Sequence, residues 1–263
     1  MIRLLTPNEL DLIKKSINRD QHFLYYSYLT VRKQNTVHVG HFSDQNELLG
    51  ILASFKGLPF LAFSFLPLQS AFCLQSTLKF MGSQLNFPKH GMGSIIVNEA
   101  DLDMFTSQIT PIETPRKILL MKHVDQEALP KHTPLNVTPF GPAHHNLIES
   151  KMTEMNTLAF TKDELDYPFC GIMEENQLVA VGGFHIYCED YAELGNIVTD
   201  ISYRKRGYGR SISTELTRVG KLMTPNVYLN VIDNNDVAVR LYQSIGYQII
   251  RSQYMINFDM GKN

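Results

Sequence analysis

The segment Arg204-Lys205-Arg206-Gly207-Tyr208-Gly209-Arg210-Ser211 constrains the fold more than any other part of the chain. It follows an apolar run from Glu193 to Ile201 and precedes a stretch whose apolar residues Ile212, Leu216, Val219 and Met223 recur at helical spacing. A strand that turns through glycines into a helix leaves backbone N–H groups unpaired at the helix start, where the helix dipole adds about half a positive charge. Such a turn is an anion site. Gly207 and Gly209 remove the Cβ atoms that block close approach, and Arg204, Arg206 and Arg210 add flanking positive charge, so a diphosphate fits. A helix that simply opens after a glycine turn between solvated arginines is the plainer reading, and the loop by itself leaves both open. No Gly-Lys-Ser/Thr stands at the spacing of a nucleoside-triphosphate loop, and the first glycine of a G-x-G-x-x-G fingerprint is missing, so those two ligand classes fall.

The rest of the chain supplies alternating elements. Thr6-Pro7-Asn8-Glu9 combines a capping box with proline at the first helical position, and Leu10, Ile13 and Ile17 continue at helical spacing. After the aromatic segment Phe23 to Leu29, strands are expected over Thr36–Phe42, Leu48–Phe55 and Pro59–Leu66. A helix Ser70–Leu85, strand Ser94–Val97, helix Glu99–Ile109 and strand Lys117–Met121 follow. Prolines crowd residues 111–142, and Leu129-Pro130-Lys131-His132-Thr133-Pro134 reads as a connector, so the expected domains are 1–130 and 131–263. Beyond it the pattern predicts strand Leu135–Val137, helix His144–Leu158 and strands Phe169–Met173, Leu178–Ile186 and Glu193–Ile201. Helix Gly207–Met223, strand Val227–Val231, helix Asp236–Ser244 and strands Tyr247–Ile250 and Tyr254–Phe258 end the chain. The two halves share an element order without visible residue identity, which makes a diverged duplication the hypothesis to test by superposition.

Lys plus Arg total 24 against 26 Asp plus Glu with no long run of either sign, so neither a nucleic acid nor an anionic membrane is an expected partner. Cys73, Cys170 and Cys188 form no C-x-x-C pair and suit a reducing compartment. No stretch approaches the roughly 18 apolar residues of a membrane span, and the N-terminal apolar run is too short for a signal peptide. The expected location is cytoplasmic.

At Arg204, Gly207 and Gly209 the chain resembles the GNAT superfamily of acyl-CoA-dependent N-acyltransferases, whose signature is Q or R-x-x-G-x-G or A. Asn235-Asp236-Val237-Ala238-Val239-Arg240-Leu241-Tyr242-Gln243-Ser244-Ile245-Gly246-Tyr247 is similar to the family's second stretch, N-x-x-A-x-x-L-Y-x-x-x-G-F or Y. The resemblance covers about residues 133 to 263 and is strongest to two-part members such as glycine N-acyltransferase-like proteins. Lys205 stands where many members have glycine, and Ile201 where many have proline. The implied fold is α/β (α+β), a mixed and mostly antiparallel sheet flanked by helices, preceded by a smaller α/β domain read as a degenerate GNAT-like half.

The same resemblance implies acetyl-CoA as cosubstrate, no metal, and an amine acceptor that is a small molecule or a protein. It places the phosphates on Arg204 to Ser211, with Lys205, Arg206, Tyr208 and Arg210 included, and the pantetheine arm along the backbone of Ile197, Val198 and Thr199 where two strands splay. Asn235, Ala238 and Tyr242 join that binding set, and Val198 N–H is the expected oxyanion donor. Glu193, eleven residues before Arg204, stands where the histone-acetylating branch keeps its catalytic glutamate, with Glu189 and Asp190 as nearby substitutes. Tyr242 is the group implied to protonate the leaving thiolate. The implied reaction is direct transfer of the acetyl group within a ternary complex, without an acyl-enzyme.

Other features carry plainer readings. His38, His41 and the pair His144-His145 lack a carboxylate or cysteine at ligand spacing, so surface or core roles are expected. Gly91-Met92-Gly93 enters a strand instead of a helix and reads as a turn. The aromatic residues Phe23 to Tyr28 suit core packing or an acceptor pocket. A different class, a non-catalytic acyl-CoA-binding or interaction protein of the same fold, stays open, as does the oligomeric state.

Overall fold

The computed structural model describes residues 1–261 apart from 59, 89–90, 133–134 and 158–159. The expected strand start at Pro59, helix end at Leu158 and connector residues Thr133-Pro134 therefore lie outside the described residues. In chain order the elements are β1 (Ile2–Leu4), α1 (Pro7–Ser16), α2 (Phe23–Leu29), β2 (Thr36–Phe42), β3 (Leu48–Phe55), β4 (Leu61–Pro67), α3 (Leu74–Leu85), β5 (Met92–Asn98), α4 (Leu102–Thr106) and β6 (Arg116–His123). There follow β7 (Thr138–Phe140), α5 (His145–Glu154), β8 (Phe169–Glu174), β9 (Gln177–Tyr187), β10 (Ala192–Thr199), α6 (Tyr208–Met223), β11 (Val227–Ile232), α7 (Asp236–Ser244) and β12 (Tyr247–Asp259).

The chain divides into two compact units, Met1–Ile118 with Arg251–Asn263, and Leu119–Ile250. Residue 130, where the proline-rich connector suggests a boundary, falls within the second unit, and the first unit takes up residues 251–263 as well. The first unit is an antiparallel run β1-β2-β3-β4, then β5 parallel to β4, closed by the Gln253–Asp259 part of β12 antiparallel to β5. The second is an antiparallel run β7-β8-β9-β10, then β11 parallel to β10, with β6 as the next strand. Each unit thus runs strand, helical segment, three-strand meander, helix, parallel strand and short helix, and each is closed by a strand drawn from the other end of the element order.

Local chemistry explains most boundaries. Thr6 caps α1 by accepting from Glu9 N, Glu9 reaches back to Thr6 N at 2.8 Å, and Pro7 opens the helix. The aromatic segment folds as α2, which sets Phe23, Tyr25, Tyr28 and Leu29 into the first unit's core. The two strands expected at the C-terminus are one, because the polar Arg251-Ser252-Gln253 contains no glycine or proline and stays extended. The expected strand Leu135–Val137 lies instead at Thr138–Phe140, an edge strand that tolerates Pro139.

The second unit is layered. Ile212 and Leu216 of α6 are buried with Val179, Phe184, Leu194 and Leu229 on one face of the sheet, each large apolar side chain contributing roughly 1.5–3 kcal/mol. Ile148 and Met152 of α5 cover Phe169, Leu178 and Val181 on the other. Among the described residues no helix is long and apolar enough to cross a membrane.

Candidate active site

The site starts from how two parallel strands part. β10 and β11 pair through Ala192–Leu194 and Val227–Leu229, yet β10 runs on to Thr199 and β11 to Ile232. The residues expected to line the splay, Ile197, Val198 and Thr199, lie beyond the last of these pairs, while Val198 and Thr199 remain registered with Val181 and Ala180 of β9 on their other side.

Two bulges shape the same region. The register slips between Leu194↔Phe184 and Glu193↔Ile186, which makes His185 the extra residue of β9. It slips again between Gly195↔Gly183 and Val198↔Val181, where Asn196 and Ile197 of β10 face Gly182 alone, and Asn196 takes φ 56°. Both extra side chains turn to one carboxylate. Asn196 Nδ2 donates to Glu164 Oε2 at 2.6 Å, and His185 Nδ1 lies 3.1 Å from the same oxygen.

The cradle follows β10 directly. Asp200 N donates to Val179 O at 2.9 Å, and a single 3₁₀ turn, Ile201–Tyr203, leads to the arginine loop. Lys205 and Gly207 both take left-handed backbone, φ 64° and 83°, so Lys205 occupies by strain a conformation that glycine adopts freely. Gly207 is the N-cap of α6, with no side chain capping the first turn. A Cβ at Gly207 would meet nothing within 4 Å, and one at Gly209 would reach Leu241 Cδ1 at 3.8 Å and Thr199 Oγ1 at 3.9 Å. The first-turn donors therefore open onto space of the kind a diphosphate takes.

The remaining cradle residues divide between that opening and the scaffold. Arg204 Nε donates to Thr199 O at 3.2 Å, Arg206 lies 4.9 Å over the Tyr203 ring, and Arg210 donates to Ser244 Oγ. Tyr208 is packed, its hydroxyl donating to Glu174 Oε1 at 2.7 Å. Ser211 N already donates to Gly207 O at 3.0 Å, and its buried Oγ has no hydrogen-bond partner among the described residues. Asn235 caps α7 by accepting from Ala238 N at 3.2 Å.

Glu193 and Tyr242 approach from different faces. Ala192 and Leu194 join the α6 core, so strand alternation turns Glu193 the other way. There Asn230 Nδ2 donates to Glu193 Oε1 at 2.8 Å, and the carboxylate is buried. Tyr242 packs on the α6 side, 6.0 Å from the Tyr247 ring, and hydrogen-bonds Ser213. Burial pushes its phenol up to about 12, which keeps it a proton donor through the neutral range.

The first unit repeats the parting strands without the cradle. β4 and β5 pair through Leu61–Phe63 and Gly93–Ile95. The turn Leu68 to Cys73 carries no glycine, and Phe72 fills it at 1% exposure. Side chains have taken the donors at the start of α3: His41 Nδ1 accepts from Cys73 N at 3.1 Å, and Gln108 Oε1 from Leu74 N at 2.7 Å. His38 is buried 3.4 Å from the Tyr25 hydroxyl, and His144 stacks on Phe140. Among the described residues no group of three His, Cys, Asp or Glu could hold a metal ion.

Sequence reasoning did not single out Glu164, His185, Asn196, Asn230 or Ser213. Asn196 and Asn230 were visible as polar interruptions of apolar strands, while Glu164 carries no local signal and reaches the site from 32 residues away.

Residues 137–247 match the Acetyltransferase (GNAT) family. Solved structures are similar over nearly the whole chain. A Drosophila protein is 12% identical, with a TM-score of 0.72 and 99% of both chains covered. A GCN5-related N-acetyltransferase from Sphaerobacter thermophilus is 12% identical, with a TM-score of 0.67, covering 99% of this chain and 95% of that one. A tandem GNAT protein from the clavulanic acid biosynthesis pathway is 11% identical, with a TM-score of 0.65 over 99% and 98%. None of the curated protein sequences matches the chain. The chain carries a GNAT acetyltransferase-family domain over residues 137–247, within a two-part chain that shares the GNAT fold.

Proposed function

We propose that the protein is a cytoplasmic N-acetyltransferase that moves an acetyl group from acetyl-CoA directly to a primary amine in a ternary complex. The observation that carries this reading is the uncapped start of α6, with Gly207 left-handed, placed at the end of a strand that departs from its parallel neighbour. Residues Gly207 to Arg210 offer N–H donors and arginine charge to the diphosphate, and the β10 backbone from Ile197 to Thr199 offers a strand edge to the pantetheine amides.

The acceptor amine has an ordinary pKa of about 10.4 and must lose a proton to attack. The face opposite α6 holds the groups that can take it, Glu193 among them. Val198 N–H holds the oxyanion, preorganised donors of this kind contributing roughly 2.7–4 kcal/mol. As the carbon–sulfur bond breaks, the Tyr242 hydroxyl protonates the thiolate. Small molecules and protein lysines are both acceptors of the right chemistry.

Calorimetric titration with acetyl-CoA, beside ATP and NADPH controls, tests the cradle, and thiol release with an amine panel tests transfer. Saturable binding of acetyl-CoA alone with amine-dependent release supports the reading. Binding without transfer to any amine overturns catalysis and leaves a CoA-binding protein. Absence of binding overturns both.

A further inference from the structure

We infer that His185, positioned by Glu164, is the group that takes the acceptor's proton, an assignment that rests on the acetyltransferase reading above. His185 lies on this face because Phe184 before it is in the α6 core, so strand alternation turns the next side chain to the side of Glu193, and the bulge falls at that same residue. The second bulge, on β10, aims Asn196 at the same carboxylate. Two adjacent strands thus spend their irregularities on one acidic side chain.

The geometry assigns a role to each group. Glu164 is the anchor at 6% side-chain exposure, and His185 reaches outward at 18%. A carboxylate accepts, so the Nδ1 atom of His185 carries the proton at 3.1 Å from Glu164 Oε2, and Nε2 is the ring's basic nitrogen. That edge of the ring lies against Gly195, where any Cβ would collide with Nε2 and Cδ2. Gly195 directly follows Leu194, the last β10 residue paired to β11, so the basic nitrogen sits at the mouth of the splay. Asn196 fills the second lobe of the Glu164 oxygen and fixes the left-handed bulge that Val198 and its N–H depend on.

Chemistry favours this imidazole over Glu193, histidine being the side chain that most often takes a proton in a transition state. Glu193 is also committed, accepting from Asn230. Glu164, from the 3₁₀ turn Lys162–Asp166, is hydrogen-bonded to His185, and Glu193 stands on β10 two residues before Gly195, against which the ring lies. In the step, the amine nitrogen bonds to the acetyl carbon, its proton passes to His185 Nε2, the carbon–sulfur bond breaks and the thiolate takes its proton from Tyr242. Glu164 is a positioning residue that holds the tautomer and stabilises the imidazolium.

The test compares His185→Gln, Glu164→Gln and Glu193→Gln with the unaltered protein. Acetyl-CoA affinity is read by calorimetry, and kcat and KM by thiol release against pH, with the fastest acceptor among glycine, spermidine and a lysine-bearing peptide. The expected result is a loss of roughly 10²–10⁴-fold in kcat for His185→Gln at unchanged acetyl-CoA affinity. Glu164→Gln should keep part of kcat and move the acid limb of kcat/KM to lower pH, because it removes the charge that favours the imidazolium. Wild-type turnover in His185→Gln, or a loss confined to Glu193→Gln, overturns the assignment and leaves the acetyltransferase reading standing. An unaltered protein that binds no acetyl-CoA, or transfers to none of the three acceptors, overturns the reading itself. If His185→Gln does not fold, the His185 ring resonance is titrated in the intact protein: a midpoint matching the acid limb supports the assignment, and a mismatch overturns it.

Discussion

Lys151 of α5 donates to both carboxylate oxygens of Asp200, at 2.9 and 3.1 Å, and so ties a helix on one face of the sheet to the residue that begins the cradle turn. The ammonium is 10% exposed and the carboxylate 20%, which places the pair well out of bulk water. Lys151→Met should lower stability by roughly 1–3 kcal/mol, since it leaves a partly buried carboxylate without its donor. It should also weaken acetyl-CoA binding, by loosening the approach to Arg204. The exposed pair Lys33–Asp11 is the control, because removing it should cost at most about 1 kcal/mol in urea denaturation and leave binding untouched.

The two left-handed residues of the cradle should respond in opposite ways. Gly207→Val forces a β-branched side chain into φ 83° and sends its bulk into the open space before α6, so acetyl-CoA binding should be lost to calorimetry. Lys205→Gly relieves a strain of about 1 kcal/mol but loosens the unfolded chain by about 0.4–1 kcal/mol. These nearly cancel, and stability should stay within about 1 kcal/mol of the parent.

Tyr242→Phe should lower kcat by roughly 10²-fold or more while acetyl-CoA affinity holds. Because burial raises the phenol to about 12, its ionisation should contribute no alkaline limb through the neutral and mildly basic range of the pH profile.

Acid should weaken the first unit in two stages. Burial lowers the His38 imidazole from 6.5 to about 4, so the unfolded chain takes up that proton first and stability falls between those values. Glu9 is lowered from 4.5 to about 2 by its hydrogen bond with Arg3 and then by the Thr6 backbone, so its contribution, complete above 4.5, is lost as pH falls to about 2. Urea midpoints against pH should show His38→Phe shrinking the first stage, to which His22 and His41, also lowered by burial, contribute, and Glu9→Gln removing the second.

Cys170 is buried among Ile172 and Ala180, and burial raises its thiol well above the ordinary range. Iodoacetamide should label Cys73 and Cys188, which are partly exposed, before Cys170. An acetyl group trapped on Cys170 during turnover would contradict direct transfer.

Elements with a strong local code were legible in sequence. The α1 capping box, the short apolar runs of β2 and β3, and the strand-glycine-helix turn each depend on residues a few positions apart, and each formed where the pattern placed it. What escaped depends on distance. The closing strand of the first unit is far from that unit in sequence, so hydrophobic periodicity can mark β12 as a strand but not say which sheet it completes. A register slip such as the one at His185 is likewise a property of two strands together, and one strand's sequence does not contain it.

That closing strand has a consequence for synthesis. The unit whose strands β1 to β5 are made by Asn98 is finished by Gln253–Asp259, translated only after everything from β6 to α7, which pair with Asn98–Met92. At about 5–20 residues per second, β5 waits on the order of ten seconds or more with one edge exposed before its partner arrives. Strands β1 to β5 are thus nascent chain in need of shelter, and their maturation is timed by the translation of β12 rather than by their own sequence.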